Sequence, residues 1–388
     1  MKEATRSRVV VFAHVALVAL SVGIYRWAKH PRPADAAVAA GQRSEGKIQL
    51  ALLLDTSGSM SGLIDQARSQ LWKMVTQLDG ARRAGQRPRL EIALYEYGNP
   101  IRSSAESGWI RRISAFTDDL DRVSESLFAL DTNGGDEFVG QVIRTASREL
   151  QWSQDPRDLK MVFVAGNEPF TQGPVPPAAA IAEARKKGIL VNVIHCGSED
   201  PTWRDGARLA GTDLLNIDHN QAVAHVAAPQ DDEIARLGTA LNSTYLAYGA
   251  EGRAGAERQA LQDSNAFTKS QSGSAVWRAR AKSSASYSNA RWDLVDAVRD
   301  GKVDLEKAGA EELPEPLRAM TPAQRQAFVQ KQAEERGRLQ KRIRELSAKR
   351  DEFVAAVRAK QAGKGAASLD SAMLSATKSQ AVAAGFRF

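Results

Sequence analysis

The sequence predicts an α/β fold: a doubly wound, mainly parallel sheet, followed by an α-helical C-terminal region. Three observations carry this. Short apolar runs alternate with amphipathic stretches between residues 47 and 248, the pattern of repeated βαβ units. The first run, Ile48–Leu54, is continuously apolar, as in a strand buried on both faces, and ends abruptly in Asp55, Ser57 and Ser59. After Gly249 the apolar runs stop and the text becomes polar and helical.

Taken in order, the N-terminus places Lys2, Arg6 and Arg8 ahead of an apolar run from Val9 to Tyr25. That run is long for a signal segment and barely long enough to span a bilayer. Small residues suited to cleavage, Ala34-Asp-Ala-Ala37, lie well downstream, and Arg26, Lys29 and Arg32 follow the run. The expectation is an export signal or membrane anchor over 1–29, with the chain on the periplasmic side of a bacterial cell envelope. Residues 30–46, rich in Pro, Ala and Gly, read as a linker.

Within 47–248 the expected strands are Ile48–Leu54, Leu90–Tyr97, Lys160–Ala165, Ile189–Ile194 and Asp213–Ile217. The expected helices are Gly62–Leu78, Asp118–Leu130, Glu137–Trp152, Ala178–Lys187, Thr202–Leu209 and Asp231–Tyr245. Right-handed crossovers bring the loops after parallel strands to one edge of the sheet, where ligands bind in open α/β folds. Residues 249–290 have too few apolar side chains for a core and read as a connecting segment. Residues 291–388 read as helical, with Thr321-Pro322 a helix start. There Leu339, Ile343, Leu346, Phe353 and Val357 form an apolar stripe with Arg350 in a skipped core place. The stripe suits a hairpin packed on its neighbour or a short coiled coil that oligomerises.

The chemistry lies in Asp55-Thr-Ser-Gly-Ser59. One carboxylate and two hydroxyls on one tight loop are hard oxygen donors, suited to a small hard cation. Alone, such a triplet is also a Ser/Gly turn ahead of a helix. Its place between an apolar strand and an amphipathic helix selects the metal reading. The nucleophile elbow of hydrolases does not fit, because Met60 occupies the central position of Gly58-Ser-Met-Ser-Gly62.

These residues resemble the metal-ion-dependent adhesion site of a von Willebrand factor type A domain, and the resemblance extends over about residues 47–248. It implies Mg²⁺ (or Mn²⁺ or Ca²⁺) held by Asp55, Ser57 and Ser59, with further ligands from two more loops. The second loop, Asp131-Thr-Asn-Gly-Gly-Asp-Glu137, is similar to the family's Gly-Gly-Thr, with Asp136 in the threonine's place. Asp136 is thus the fourth candidate ligand; a helix N-cap is its other reading. In the third loop, Gly166 stands where the family has aspartate, with Asn167 and Glu168 beside it. The phrases Gly166–Gly173, Asn242–Tyr245 and Gln262–Ala266 also resemble bacterial envelope proteins in which this domain precedes a helical region.

The expected function is metal-assisted binding of a protein ligand whose carboxylate completes the cation's shell. The rivals are a metal-assisted hydrolase and a structural scaffold with a vestigial site. No enzyme is expected: the five histidines form no zinc-binding pair in sequence, and no catalytic triad stands out. The single cysteine, Cys196, excludes an intrachain disulfide and reads as a buried thiol, or less simply as a metal partner of His195. The formal net charge is +7, divided as about +5 over 1–44, −6 over 45–248 and +8 over 249–388. The basic tail interleaves its charges with acids and carries no zinc cluster or RNA-binding motif, so no nucleic-acid partner is expected. The expected partners are a protein ligand, the inner membrane through an uncleaved N-terminal helix, and a second copy through the C-terminal helices.

Overall fold

The computed structural model describes residues 46–388, apart from position 199 and segments 218–224, 269–272 and 361–368. The expected signal or anchor and its linker lie outside the described residues. Among the described residues no helix is long and apolar enough to cross a membrane.

Six strands form one sheet in the order β3-β2-β1-β4-β5-β6: β1 Lys47–Asp55, β2 Arg89–Tyr97, β3 Ile110–Thr117, β4 Leu159–Gly166, β5 Ile189–Cys196 and β6 Leu214–Ile217. All neighbours pair in parallel except β2 and β3, which are antiparallel with register shifts. The order reverses between β1 and β4, so a crevice opens at their carboxyl ends. Alternation along the strands divides the core into two layers. Leu50, Leu52 and Leu54 pack with helix α1 (Ser61–Leu78) on one face. Ala51 and Leu53 pack on the other with α3 (Val139–Glu149) and α4 (Pro177–Lys186). Helices α2 (Leu120–Phe128) and α5 (Pro201–Ala210) complete the flanks.

The reading of the sequence omits β3. Its residues Arg111, Arg112 and Ser114 interrupt any apolar pattern, as suits an edge strand paired on one side only.

The region after 249 is helical throughout its ordered elements. It contains α7 (Gly252–Thr268), α8 (Ser274–Lys282), α9 (Leu294–Arg299), α10 (Glu315–Arg318), α11 (Pro322–Lys360) and α12 (Leu369–Ala383). The expected connecting segment is therefore largely α7 and α8. Their buried faces mix small apolar residues with many polar ones, which is why hydropathy misses them: Gln259, Gln262, Asn265, Arg278 and Lys282 are all buried. Arg278 donates to Asp121 and to Asp263 (2.8 Å), and its guanidinium lies 4.3 Å from the Trp72 ring centre. Lys282 donates to Asp263 (2.8 Å), to Asn242 and to the Gly238 carbonyl (3.1 Å). Buried polar groups matched in this way satisfy one another without an apolar stripe.

The first part of the α11 stripe is covered within the chain, whereas Phe353 is exposed and Val357 half-buried. Leu339, Ile343 and Leu346 pack against Ile234, Leu237 and Leu241, from α6 (Asp231–Ala240) and the turn after it, and against Val276 and Ala279 of α8. Arg350, in the skipped place, donates to Asp231 over 2.6 Å. The chain then returns to the sheet domain: Met373, Ala381 and Phe386 share a hydrophobic cluster with β1, β4 and α1. Residues 46–388 form one packing unit, so Gly249 marks a change of composition within it.

Candidate functional site

Asp55 is the last residue of β1 and is fully buried at the reversal of strand order. Its Oδ1 accepts from the Ser57 amide over 2.7 Å, which tightens the loop and turns both serines toward the same side. The two hydroxyl oxygens lie 3.4 Å apart. Backbone bonds lock this loop between its neighbours. The Thr56 amide donates to the Tyr97 carbonyl at the end of β2, and the Asn133 amide donates to the Thr56 carbonyl, each over 2.9 Å. Three loops thus converge on Asp55.

From the third loop, Asn167 Nδ2 donates to Ser59 Oγ over 2.9 Å. Glu168 is exposed. Gly166 lies against Asp55: a Cβ built on it would be 3.2 Å from Asp55 Oδ2 and 2.5 Å from the Tyr97 hydroxyl. That hydroxyl donates to the Ala165 carbonyl over 2.8 Å and fills the space a third-loop side chain would need.

In the second loop Asp136 is solvent-exposed, whereas the next residue, Glu137, is buried. The Glu137 amide is held by Gln172 Oε1 at 2.9 Å, and its carboxyl reaches Asp55 and Ser57. Burial pushes both acids up. The Asp55 charge pushes Glu137 further, while the hydrogen bond from Glu137 pulls Asp55 partly back. Each carboxyl therefore holds its proton more tightly than a solvated one, chiefly because burial disfavours the charged form.

Whether the residues suit a hard cation can be judged from their unmet bonding. Asp55 Oδ2, Glu137 Oε2 and Asn167 Oδ1 are all buried and receive no hydrogen bond from the described residues. Orphaned buried oxygens are rare in native proteins, because each costs the desolvation of that group. Other buried side-chain oxygens of this chain also lack a partner, such as Glu96 Oε2 and Gln70 Oε1; these three are distinguished by gathering on residues that bond to or press on the serine loop. An oxygen-only set of this kind suits Mg²⁺ or Mn²⁺. Its donors are mixed in type; among the described residues no three His, Cys, Asp or Glu side chains gather as a metal cluster.

Asp55, Ser57 and Ser59 are therefore together, as the spacing implies, while Asp136 is solvent-exposed beside buried Glu137. Glu137 and Tyr97 were not anticipated. Glu137 is hidden because its neighbour has the more familiar position in the motif. Tyr97 gives no local signal, since only the sheet brings it beside Gly166. Cys196 is buried at the end of β5, where burial pushes its thiol up. His195 packs against Trp203, with ring centres 5.3 Å apart.

A doubly wound α/β domain with an oxygen-lined site at its strand ends is thus on view. Residues 49–211 match the model of the von Willebrand factor type A domain, and this chain carries such a domain. Solved structures show likeness at low identity. Proximal thread matrix protein 1 from the mussel byssus is 12% identical, over 44% of this chain and 41% of that one, with a TM-score of 0.32. A von Willebrand factor type A protein from Catenulispora acidiphila is 14% identical, over 45% and 39%, with a TM-score of 0.33. The pilus adhesin SpaC from Lactobacillus rhamnosus GG is 12% identical, over 46% and 28%, with a TM-score of 0.34. The match spans about two fifths of the length of the first two. No curated protein matches the chain.

Proposed function

We propose that this protein is a metal-assisted protein-binding module of the bacterial cell envelope. The observation that carries the reading is the set of orphaned buried oxygens beside Ser57 and Ser59. When bound, a divalent cation supplies a positive centre with room for one more hard oxygen, and a partner's carboxylate is the natural occupant. Asp55 supplies charge from a rigid strand end, Ser57 and Ser59 supply neutral oxygens, and Asn167 fixes the Ser59 hydroxyl. Such an arrangement binds and does not require a reaction, which favours a binding module over a hydrolase.

Titration calorimetry of the full chain with Mg²⁺ or Mn²⁺ tests this. Saturable binding is expected, and an Asp55→Ala, Ser57→Ala double variant that remains folded by circular dichroism should lose it. Undiminished binding by that variant would refute the site. The envelope placement rests on Lys2, Arg6 and Arg8 preceding the apolar run from Val9 to Tyr25. A periplasm-dependent reporter fused after Phe388 should be active. A silent fusion, with a cytoplasmic reporter active at the same point, would exclude export.

A further inference from the structure

We propose that Glu137 is the second carboxylate of this site, standing in for the one that the third loop lacks at Gly166, and that Tyr97 enforces the exchange. This rests on the metal reading above and deepens it.

The geometry is reciprocal. At Gly166 a side chain has no room, because its Cβ would meet the Tyr97 hydroxyl at 2.5 Å. That hydroxyl is anchored on the Ala165 carbonyl and cannot swing away without losing the bond. On the opposite side of Asp55, the end of β2 is hollowed. Gly98 has φ +81, and a Cβ there would lie 2.9 Å from Glu137 Cγ and 3.1 Å from Asp55 Oδ1. The absent side chain at 98 is what admits Glu137 to Asp55. Gly135 lets the second loop descend far enough, since its own Cβ would fall 2.6 Å from the Gly98 carbonyl. Two glycines thus open a slot for Glu137, and one tyrosine closes the slot for a third-loop acid.

The chemistry follows from charge and solvent. A divalent cation beside Asp55 alone would keep half its charge uncompensated in a buried place, and a second carboxylate balances it. Apart from Asp55 itself, Glu137 is the acid on the three loops that is both buried and left with an oxygen, Oε2, that no donor among the described residues reaches. Asp136 and Glu168 are exposed.

The test measures Mn²⁺ binding to the full chain by electron paramagnetic resonance of the free ion. The wild type is compared with Glu137→Gln, Glu137→Asp and Asp136→Asn. Glu137→Gln keeps shape and removes charge, so affinity should fall roughly tenfold or more, as ligand charge governs hard-cation affinity. Glu137→Asp keeps charge and shortens reach, and should also weaken binding. Asp136→Asn should stay within about twofold of the wild type. Folding is checked by circular dichroism, and two different substitutions guard against loss of one to misfolding. Wild-type binding that is unchanged in both Glu137 variants overturns this assignment and leaves the metal reading standing. A large loss in Asp136→Asn alone also overturns it. A wild-type chain that binds no Mn²⁺ overturns the metal reading and the assignment together.

Discussion

Replacing Arg336 by alanine should destabilise the whole folded unit. Arg336 lies on α11 and is nearly fully buried, as are its partners Asp293 and Asp296. It donates from Nη1 to Asp293 over 2.7 Å and to Asp296 over 2.9 Å. It also donates from Nε and Nη2 to the hydroxyl and carbonyl of Thr244, and its guanidinium lies 4.0 Å from the Tyr245 ring centre. Alanine would leave two carboxylates buried beside each other. Asp293 would keep only the Leu246 and Asp296 amides, and Asp296 would keep the Asn289 amide and half-exposed Arg299. Breaking a buried ion pair from one side costs about 3–5 kcal/mol. With a urea dependence of about 3 kcal/mol/M, the unfolding midpoint should fall by about 1–1.7 M. Adding Asp293→Asn and Asp296→Asn to Arg336→Met removes the uncompensated charges and should recover part of the loss. Asparagine also keeps the N-cap that Asp293 provides for α9. The assay is equilibrium urea unfolding of the full chain, followed by circular dichroism and by tryptophan fluorescence. A midpoint shift below about 0.3 M in Arg336→Ala, near 1 kcal/mol, would refute the view that this junction ties α11 to the rest.

Asp263 should make stability depend on acid. Burial raises its pKa, but Arg278 and Lys282 outweigh that and hold it at about 2, below the ordinary 3.8. A lowered carboxylate contributes stability above the unfolded value and loses it as pH falls through the folded one, so about 2 kcal/mol should disappear between roughly pH 4 and 2. Asp263→Asn should flatten that part of the stability–pH curve; an unchanged slope would contradict the ion-pair account. Leu346→Ala should cost about 2–5 kcal/mol by leaving a cavity against α6 and α8. Its oligomeric state by analytical ultracentrifugation should match the wild type. A dissociated oligomer with an unchanged melting temperature would instead place the stripe between copies.

Sequence by itself determined the class of fold and the heart of the site. Continuous apolar runs such as Ile48–Leu54 read as buried strands because both faces of a parallel strand are covered, and the observed β1 is buried along nearly its whole length. Asp55, Ser57 and Ser59 were legible because they sit on one loop, where spacing and geometry are nearly the same thing. The edge strand β3 was not, since one-sided pairing leaves no apolar signature. Helices α7 and α8 escaped for a related reason: many of their buried residues are polar and find partners far away in the chain, as Arg278 does with Asp121 across 157 positions. Glu137 and Tyr97 belong to the same category. Nothing local distinguishes Glu137 from Asp136; what turns one inward is the absence of a Cβ at Gly98 and the close approach of Gly135. The hydroxyl of Tyr97 excludes a side chain at Gly166 because β2 and β4 both flank β1, a neighbourhood set by the strand order. Local chemistry is written in adjacent residues, whereas access to a buried charge is decided by which distant backbones leave room for it.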